Sequence, residues 1–165
     1  MIDTTKWSYF LINDIFECKT CPNSVKIDLA DGEIPYISRT ALNNGRDGSV
    51  QVEEDKITKG NCITIGAEGF YAFYQAEDFA TGVKIYNLRC DEMDRKIGLF
   101  IATILNMQVY KYSYSRARIL DKIKQEQIKL PVDTNGKPDW NYMRKFIEKL
   151  EERERERAKT LLKIV

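Results

Sequence analysis

The sequence predicts an α+β fold: a β-rich domain with a few helices over residues 1–137, then one long C-terminal coiled-coil helix over residues 138–165. Three observations predict it. Runs of β-branched and aromatic residues, punctuated by glycine and asparagine, fill residues 34–88, the composition of short strands joined by turns. Apolar residues at spacings of three and four take over after Asp94, which is helical periodicity. From Asp139 to Val165 no glycine or proline interrupts the chain, enough for a rod about 40 Å long.

Each element has its own reason. Ile34–Ser38 predicts a strand opened by Gly32, followed by Val50–Val52, Cys62–Ile65 between Gly60 and Gly66, Phe70–Tyr74 and Val83–Leu88. Six of the nine glycines lie between Gly32 and Gly69, as turns between short, strongly bent strands require. Ile97, Phe100, Ile101, Ile104 and Leu105 mark one face of a helix that Asp91 or Asp94 can cap. Tyr110–Arg118 reads as a polar, aromatic loop, Ile119–Gln125 as one or two helical turns, and Ile128–Val132 as a short strand. Asp133–Pro138 is a turn-rich boundary, and Asp139 is placed to cap the last helix.

Composition bounds the chemistry. With 165 residues, 43% of them hydrophobic, the chain can bury a self-sufficient core. A net charge of +1 gives no whole-molecule basic field, so a nucleic-acid site has to be a local patch. Histidine is absent, which excludes histidine triads, bases and metal ligands. The N-terminal residues MIDTTKWSYF lack the features of a secretion signal. No stretch approaches the roughly 18 apolar residues of a membrane span. The expectation is a cytoplasmic protein with reduced thiols and no membrane partner.

Cys18-Lys-Thr-Cys21 is a CxxC, which alone could be a redox pair or half a zinc site; Cys62 and Cys90 do not supply a second one. No phosphate-cradling glycine loop is visible. Pro138-Asp139 opens a helix and lacks the strand and Glu-x-Lys of a nuclease, and the Asn/Asp-Pro-Pro-aromatic motif of amino-methyltransferases is missing. The expectation is therefore no catalytic residue, no metal and no resident cofactor: a recognition part whose chemistry is done elsewhere.

Two segments have the residue types that touch DNA. Arg39, Asn43, Asn44 and Arg46 lie on a Gly-rich stretch after the first predicted strand; arginine suits guanine edges and asparagine adenine edges. Asn43-Asn44-Gly45 is equally well read as a turn. In the second segment Lys111, Arg116, Arg118, Lys122, Lys124 and Lys129 oppose only Asp121 and Glu126, six positive against two negative, or +4. Tyr112 and Tyr114 interleave with Lys111, Arg116 and Arg118, a pattern suited to phosphates at a groove wall.

The last helix carries a heptad seam. Trp140, Met143, Ile147, Leu150, Glu154, Arg157, Leu161 and Ile164 follow at gaps of three and four. Two copies packed antiparallel about an axis near residues 155 and 156 would set Glu154 against the second copy's Arg157, Leu150 against Leu161 and Ile147 against Ile164. A parallel pair would set like charges together. Met143, Ile147, Leu150, Glu154, Arg157, Leu161 and Ile164 are thus the expected dimerisation residues. A lone solvated helix and a helix that binds a different chain are the alternatives.

In order along the chain, Trp7 with Leu11–Phe16, Ile34–Ser38 with Asn43–Gly45, Gly60–Gly66 with Phe73–Gln75, Lys111–Arg118 with Ile128–Val132, and Gly136–Met143 resemble the blocks of the DNA-specificity subunit of type I restriction–modification systems and of related type II subunits. The resemblance implies a target recognition domain at 1–137 and a spacer helix at 138–165. It implies one unit of a two-unit subunit: either a half-subunit that pairs as a homodimer on a bipartite duplex site, or a one-unit fragment of a longer chain. It also implies a modification subunit that methylates adenine N6 with S-adenosylmethionine and, in complexes that cut, a restriction subunit. Read without the resemblance, the residues leave open a protein-interaction module that uses the helix and touches no DNA.

Overall fold

The structure, a computed structural model, describes residues 3–162. The elements run β1 (Ser8–Leu11), α1 (Ile12–Ile15), β2 (Glu17–Thr20), β3 (Asp31–Ile37), β4 (Arg46–Val50), β5 (Cys62–Gly66), β6 (Ala72–Gln75), β7 (Ala80–Thr81), β8 (Ile85–Arg89), α2 (Arg95–Asn106), α3 (Leu120–Gln125), β9 (Gln127–Leu130) and α4 (Trp140–Leu162). Short 3-10 turns join several of them. The α+β class and the long last helix are as the sequence predicts. Among the described residues no helix is long and apolar enough to cross a membrane.

Three sheets carry the fold. The central one is antiparallel, in the order β2-β8-β5-β6. A mixed sheet, β4-β3-β7, lies beside it, and β1 pairs with β9. Every residue of β5 is buried, which is why Cys62–Ile65 reads as a continuous apolar run. The predicted Val50–Val52 strand is displaced toward the N-terminus: β4 pairs with β3 from Arg46 to Val50, with register shifts on either side. Pro35 removes one ladder donor and Gly48 has φ +87, so irregular pairing is the cheaper solution there.

Helix α2 covers β6. Asp94 caps it, its Oδ1 accepting from the Ile97 amide at 2.9 Å, and Ile97, Phe100, Ile101 and Leu105 face the core. Gly98 sits under the Tyr74 ring, where a Cβ would collide with it, so glycine sets how closely helix and sheet approach. At the far end Asn106 takes both backbone groups of Ala72, accepting from its N–H at 2.7 Å and donating to its carbonyl at 2.9 Å.

Helix α4 starts as predicted, with Asp139 Oδ1 accepting from the Tyr142 amide at 2.8 Å. Its course then corrects the seam. Met143 and Ile147, expected at a dimer interface, are sealed inside this chain's own core, and Leu150 packs on the same cluster. Phe146 meets Phe100 edge-on at 5.7 Å and Trp140 meets Phe16 at 6.4 Å. The physical reason is the width of the apolar stripe: Trp140, Met143, Phe146, Ile147 and Leu150 form more than a two-position seam, and such a face is covered by a globule. Ion pairs from Lys96 to Glu148 (2.8 Å), Arg95 to Glu151, and Arg144 to Asp94 (2.5 Å) and Glu92 (2.9 Å) lash α4 to α2 and the turn before it. Beyond Glu151 every described residue is exposed. Glu154, Arg157 and Leu161 therefore remain free of the core, and Ile164 lies outside the described residues.

Candidate nucleic-acid interface

After α2 the chain makes one 3-10 turn, Val109–Lys111. It then doubles back through a tight turn in which Ser113 and Arg116 exchange backbone hydrogen bonds. The result is an arch over residues 109–118. Its outer side is polar and aromatic: Tyr110 is 81% and Tyr114 89% exposed, and Lys111 and Arg116 are exposed too. Neither cation is spent on a carboxylate. Lys111 donates to the Gln108 side-chain carbonyl and Arg116 Nη1 to the Lys111 carbonyl at 3.5 Å. Lys122, on α3, donates to the Ala117 carbonyl at 3.3 Å. Among the described residues no ion pair involves Lys111, Arg116, Lys122, Lys124 or Lys129. The local positive field of the segment is therefore not cancelled by pairing.

Arg118 is a correction. The sequence places it with the DNA-contacting residues, but its side chain is fully buried. Its Nη2 donates to Glu126 Oε1 at 2.8 Å and Oε2 at 2.9 Å, its Nε to Oε2 at 3.1 Å, and its Nη1 to the Phe70 carbonyl at 2.8 Å. A guanidinium so occupied, with four of its five N–H groups bonded and none of it exposed, cannot reach a base or a phosphate. Tyr112 also turns inward: its hydroxyl donates to Glu126 Oε2 at 2.8 Å, its ring lies 5.0 Å from the Arg118 guanidinium carbon, and it stacks on Phe70 at 6.4 Å. Burial, and then the Glu126 charge, push the Tyr112 hydroxyl up to about 12, so it stays protonated and keeps donating. Glu126 is the residue that sequence reasoning missed; eight positions away in an ordinary-looking charged stretch, nothing marks it as a partner.

The 66–71 turn joins the two predicted segments. Its Ala67 carbonyl accepts from the Arg118 amide at 2.8 Å, and its other side lies against the Arg39 backbone, where a Cβ on Gly69 would collide with the Arg39 carbonyl. Arg39 therefore reaches the same region as the arch. Its guanidinium pairs with Glu68, which also holds Lys84 at 2.7 Å, so Arg39 offers less free charge than Lys111 or Arg116. Arg46 is exposed and is steadied by the Gly48 carbonyl (3.3 Å) and the Ser49 hydroxyl (2.6 Å).

Asn43 and Asn44 follow the turn reading. Both have positive φ, 47° and 56°, a conformation that asparagine tolerates better than most residues. Asn43 Nδ2 donates to the Arg46 carbonyl at 3.3 Å and Asn44 Nδ2 to the Tyr74 carbonyl at 3.0 Å. The Asn43 donor closes the turn on itself and the Asn44 donor ties it to β6, while both side chains stay exposed.

The CxxC is divided between two cores. Cys18 packs in the main cluster, whereas Cys21 joins Cys62 in a second one. Burial pushes the Cys18 thiol up to about 11 and Cys62 up to about 12, and thiols so raised are poor nucleophiles and poor metal ligands at neutral pH. Among the described residues no three Cys, Asp or Glu side chains are grouped to hold a metal ion.

Residues 4–160 match the family model of the type I restriction modification DNA specificity domain. The chain is 27% identical over 150 residues to the specificity subunit S.BcgI of a type II restriction enzyme from Heyndrickxia coagulans, covering 88% of this chain and 43% of that protein. In fold it is similar to the S subunit of the type I restriction–modification system from M. genitalium (TM-score 0.60, 14% identity, 97% of this chain and 44% of that one). It is also similar to the HsdS subunit from Thermoanaerobacter tengcongensis (TM-score 0.60, 8% identity, 93% and 39%). This chain therefore spans less than half the length of these relatives. The family match runs through every element from β1 into the distal part of α4, and the chain belongs to the type I restriction modification DNA specificity domain family.

Proposed function

We propose that this chain is a sequence-reading unit for duplex DNA within a restriction–modification assembly, and that two copies pair antiparallel through the distal half of α4 to read the two halves of a bipartite site. The observation that carries the reading is the arch, where Lys111 and Arg116 stand exposed beside Tyr110 and Tyr114 with no carboxylate partner among the described residues. Unpaired cations interleaved with aromatics suit a phosphate backbone. Arg46, on the second segment, is the candidate for a base edge. Leu161, exposed on the distal half of α4 beyond the globule, supports pairing through that half, and two identical readers about a two-fold axis suit a site with matching symmetry. In this reading the chain does no bond-making. A partner methyltransferase flips an adenine and transfers a methyl group from S-adenosylmethionine, and a restriction subunit cuts where one is present.

The test is duplex binding by the full chain, alone and co-expressed with an adenine methyltransferase subunit of a restriction–modification system, as a function of salt. Affinity is expected to fall steeply with salt, and Lys111→Ala and Arg116→Ala each to reduce the logarithmic salt slope by about 1. Absence of duplex binding with and without the methyltransferase, together with capture of a different protein by α4, would replace this reading with that of an interaction module.

A further inference from the structure

We propose that Arg118, Glu126 and Tyr112 are positioning residues for the DNA-contacting surface: a buried clasp that makes the 109–116 arch and the 66–71 turn move as one body. This rests on the DNA-reading function proposed above and adds residues that touch no DNA themselves. Arg118 ties three places together. Its side chain binds Glu126, which caps the end of α3 just before β9, and the Phe70 carbonyl in the turn; its backbone N–H binds Ala67 in the same turn. Tyr112, inside the arch, closes the triangle by donating to Glu126 at 2.8 Å and stacking on Phe70. Phe70 has φ +63, a conformation a bulky residue keeps only where its surroundings hold it.

The arch needs such a device. It has no regular secondary structure beyond one 3-10 turn, and its outer residues are exposed, so its own packing cannot fix where Lys111 and Arg116 point. A forked guanidinium with a bidentate carboxylate does so with directional bonds that lysine cannot reproduce. The opposite edge of the turn lies against Arg39. The clasp therefore sets the arch in register with Arg39, whose own segment carries Arg46. Misplacement of contact groups costs recognition more than it costs bulk attraction, because phosphate contacts tolerate displacement and base contacts do not.

The experiment compares wild-type chain with Arg118→Lys and with the milder Tyr112→Phe, which keeps the ring and the ion pair and removes a single hydrogen bond. Amide exchange is followed across the chain. Affinity is measured for a duplex selected by the wild-type protein from a random-sequence pool and for an unselected random duplex. Exchange is expected to quicken in 109–117 and 66–71 together, more in Arg118→Lys than in Tyr112→Phe, with the central sheet unchanged. The ratio of selected to unselected affinity should fall roughly tenfold for Arg118→Lys, about 1.4 kcal/mol. The salt slope should stay that of the wild type, because no phosphate contact is lost. Exchange that quickens in the arch alone, or in neither segment of the Tyr112→Phe chain, overturns the clasp whether or not DNA binds. An unchanged affinity ratio in a folded Arg118→Lys chain overturns its role in reading. Absence of binding by the wild type strikes instead at the DNA-reading function.

Discussion

Along α4, Met143 and Ile147 are sealed beneath α2, while Leu161, 66% exposed, stands in solvent on the same helix and in the same three-and-four spacing. The proximal half is widened by Trp140 and Phe146 and lashed to α2 through Glu148 and Glu151. The distal half has no such flanking aromatics, and its charges pair along the helix, Glu154 with Arg157 at 3.2 Å and Glu156 with Lys159 at 2.7 Å. Spacing therefore reports that a helix has an apolar stripe, and the width of the stripe reports what covers it: a broad one belongs to a globule, a narrow one to a second helix.

The largest effect that separates the halves is on folding. Met143→Ala should cost about 2–5 kcal/mol of unfolding free energy, the range for truncating a buried methionine. Leu161→Ala should change it by no more than about 0.5 kcal/mol when the chain is dilute. Urea denaturation at low protein concentration decides it: equal losses at the two positions would mean that the distal half is also part of the folded core.

A smaller effect should appear in association alone. In the antiparallel pairing Arg157→Glu sets two carboxylates face to face across the dimer and is expected to weaken self-association roughly tenfold; adding Glu154→Arg restores opposite charges and the affinity with them. Sedimentation equilibrium reads the dissociation constant, and circular dichroism of each variant separates it from loss of helix. If the single reversal leaves association where it was, the two helices do not meet in that register.

What the sequence disclosed follows the same division between local and non-local cause. The caps Asp94 and Asp139 were legible because a cap is decided within four residues. Strands β5 and β8 were legible from their β-branched and aromatic content between turn residues. The short strands β1, β2 and β7 were not, because their pairing is set by distant partners: β1 by β9 and β7 by β3. The candidate site divides likewise. The positive character of residues 110–129 survives folding, since burying Arg118 with Glu126 takes six against two to five against one, still +4. Which of those arginines points inward was hidden, because a buried ion pair and two solvated charges look identical in one dimension. The double reading of Asn43 and Asn44, base-edge chemistry or turn geometry, was visible as an alternative, and their positive φ bears out the turn geometry.

The smallest effect probes the junction where the proximal half meets α2. Burial raises the Asp94 carboxyl, but the Arg144 guanidinium at 2.5 Å and the Ile97 amide at 2.9 Å outweigh it and hold it below the ordinary aspartate range. A carboxyl depressed in the folded state contributes stability above its unfolded value, about 3.9, and loses that contribution as pH falls through its lower folded value. The α2–α4 clamp should therefore hold through neutral pH and loosen below about pH 4. Asp94→Asn keeps an oxygen to cap Ile97 and discards the charge that Arg144 needs, so its stability should fall less steeply on acidification than that of the wild type. The side chain is 43% exposed and solvent screens much of the attraction, so the difference at neutral pH should stay under about 1 kcal/mol. Urea midpoints of both chains at neutral and acid pH measure it. Parallel losses would assign the acid sensitivity to another carboxylate, with Glu92, Glu148 and Glu151, which also pair α4 with α2 and the turn before it, the next to test.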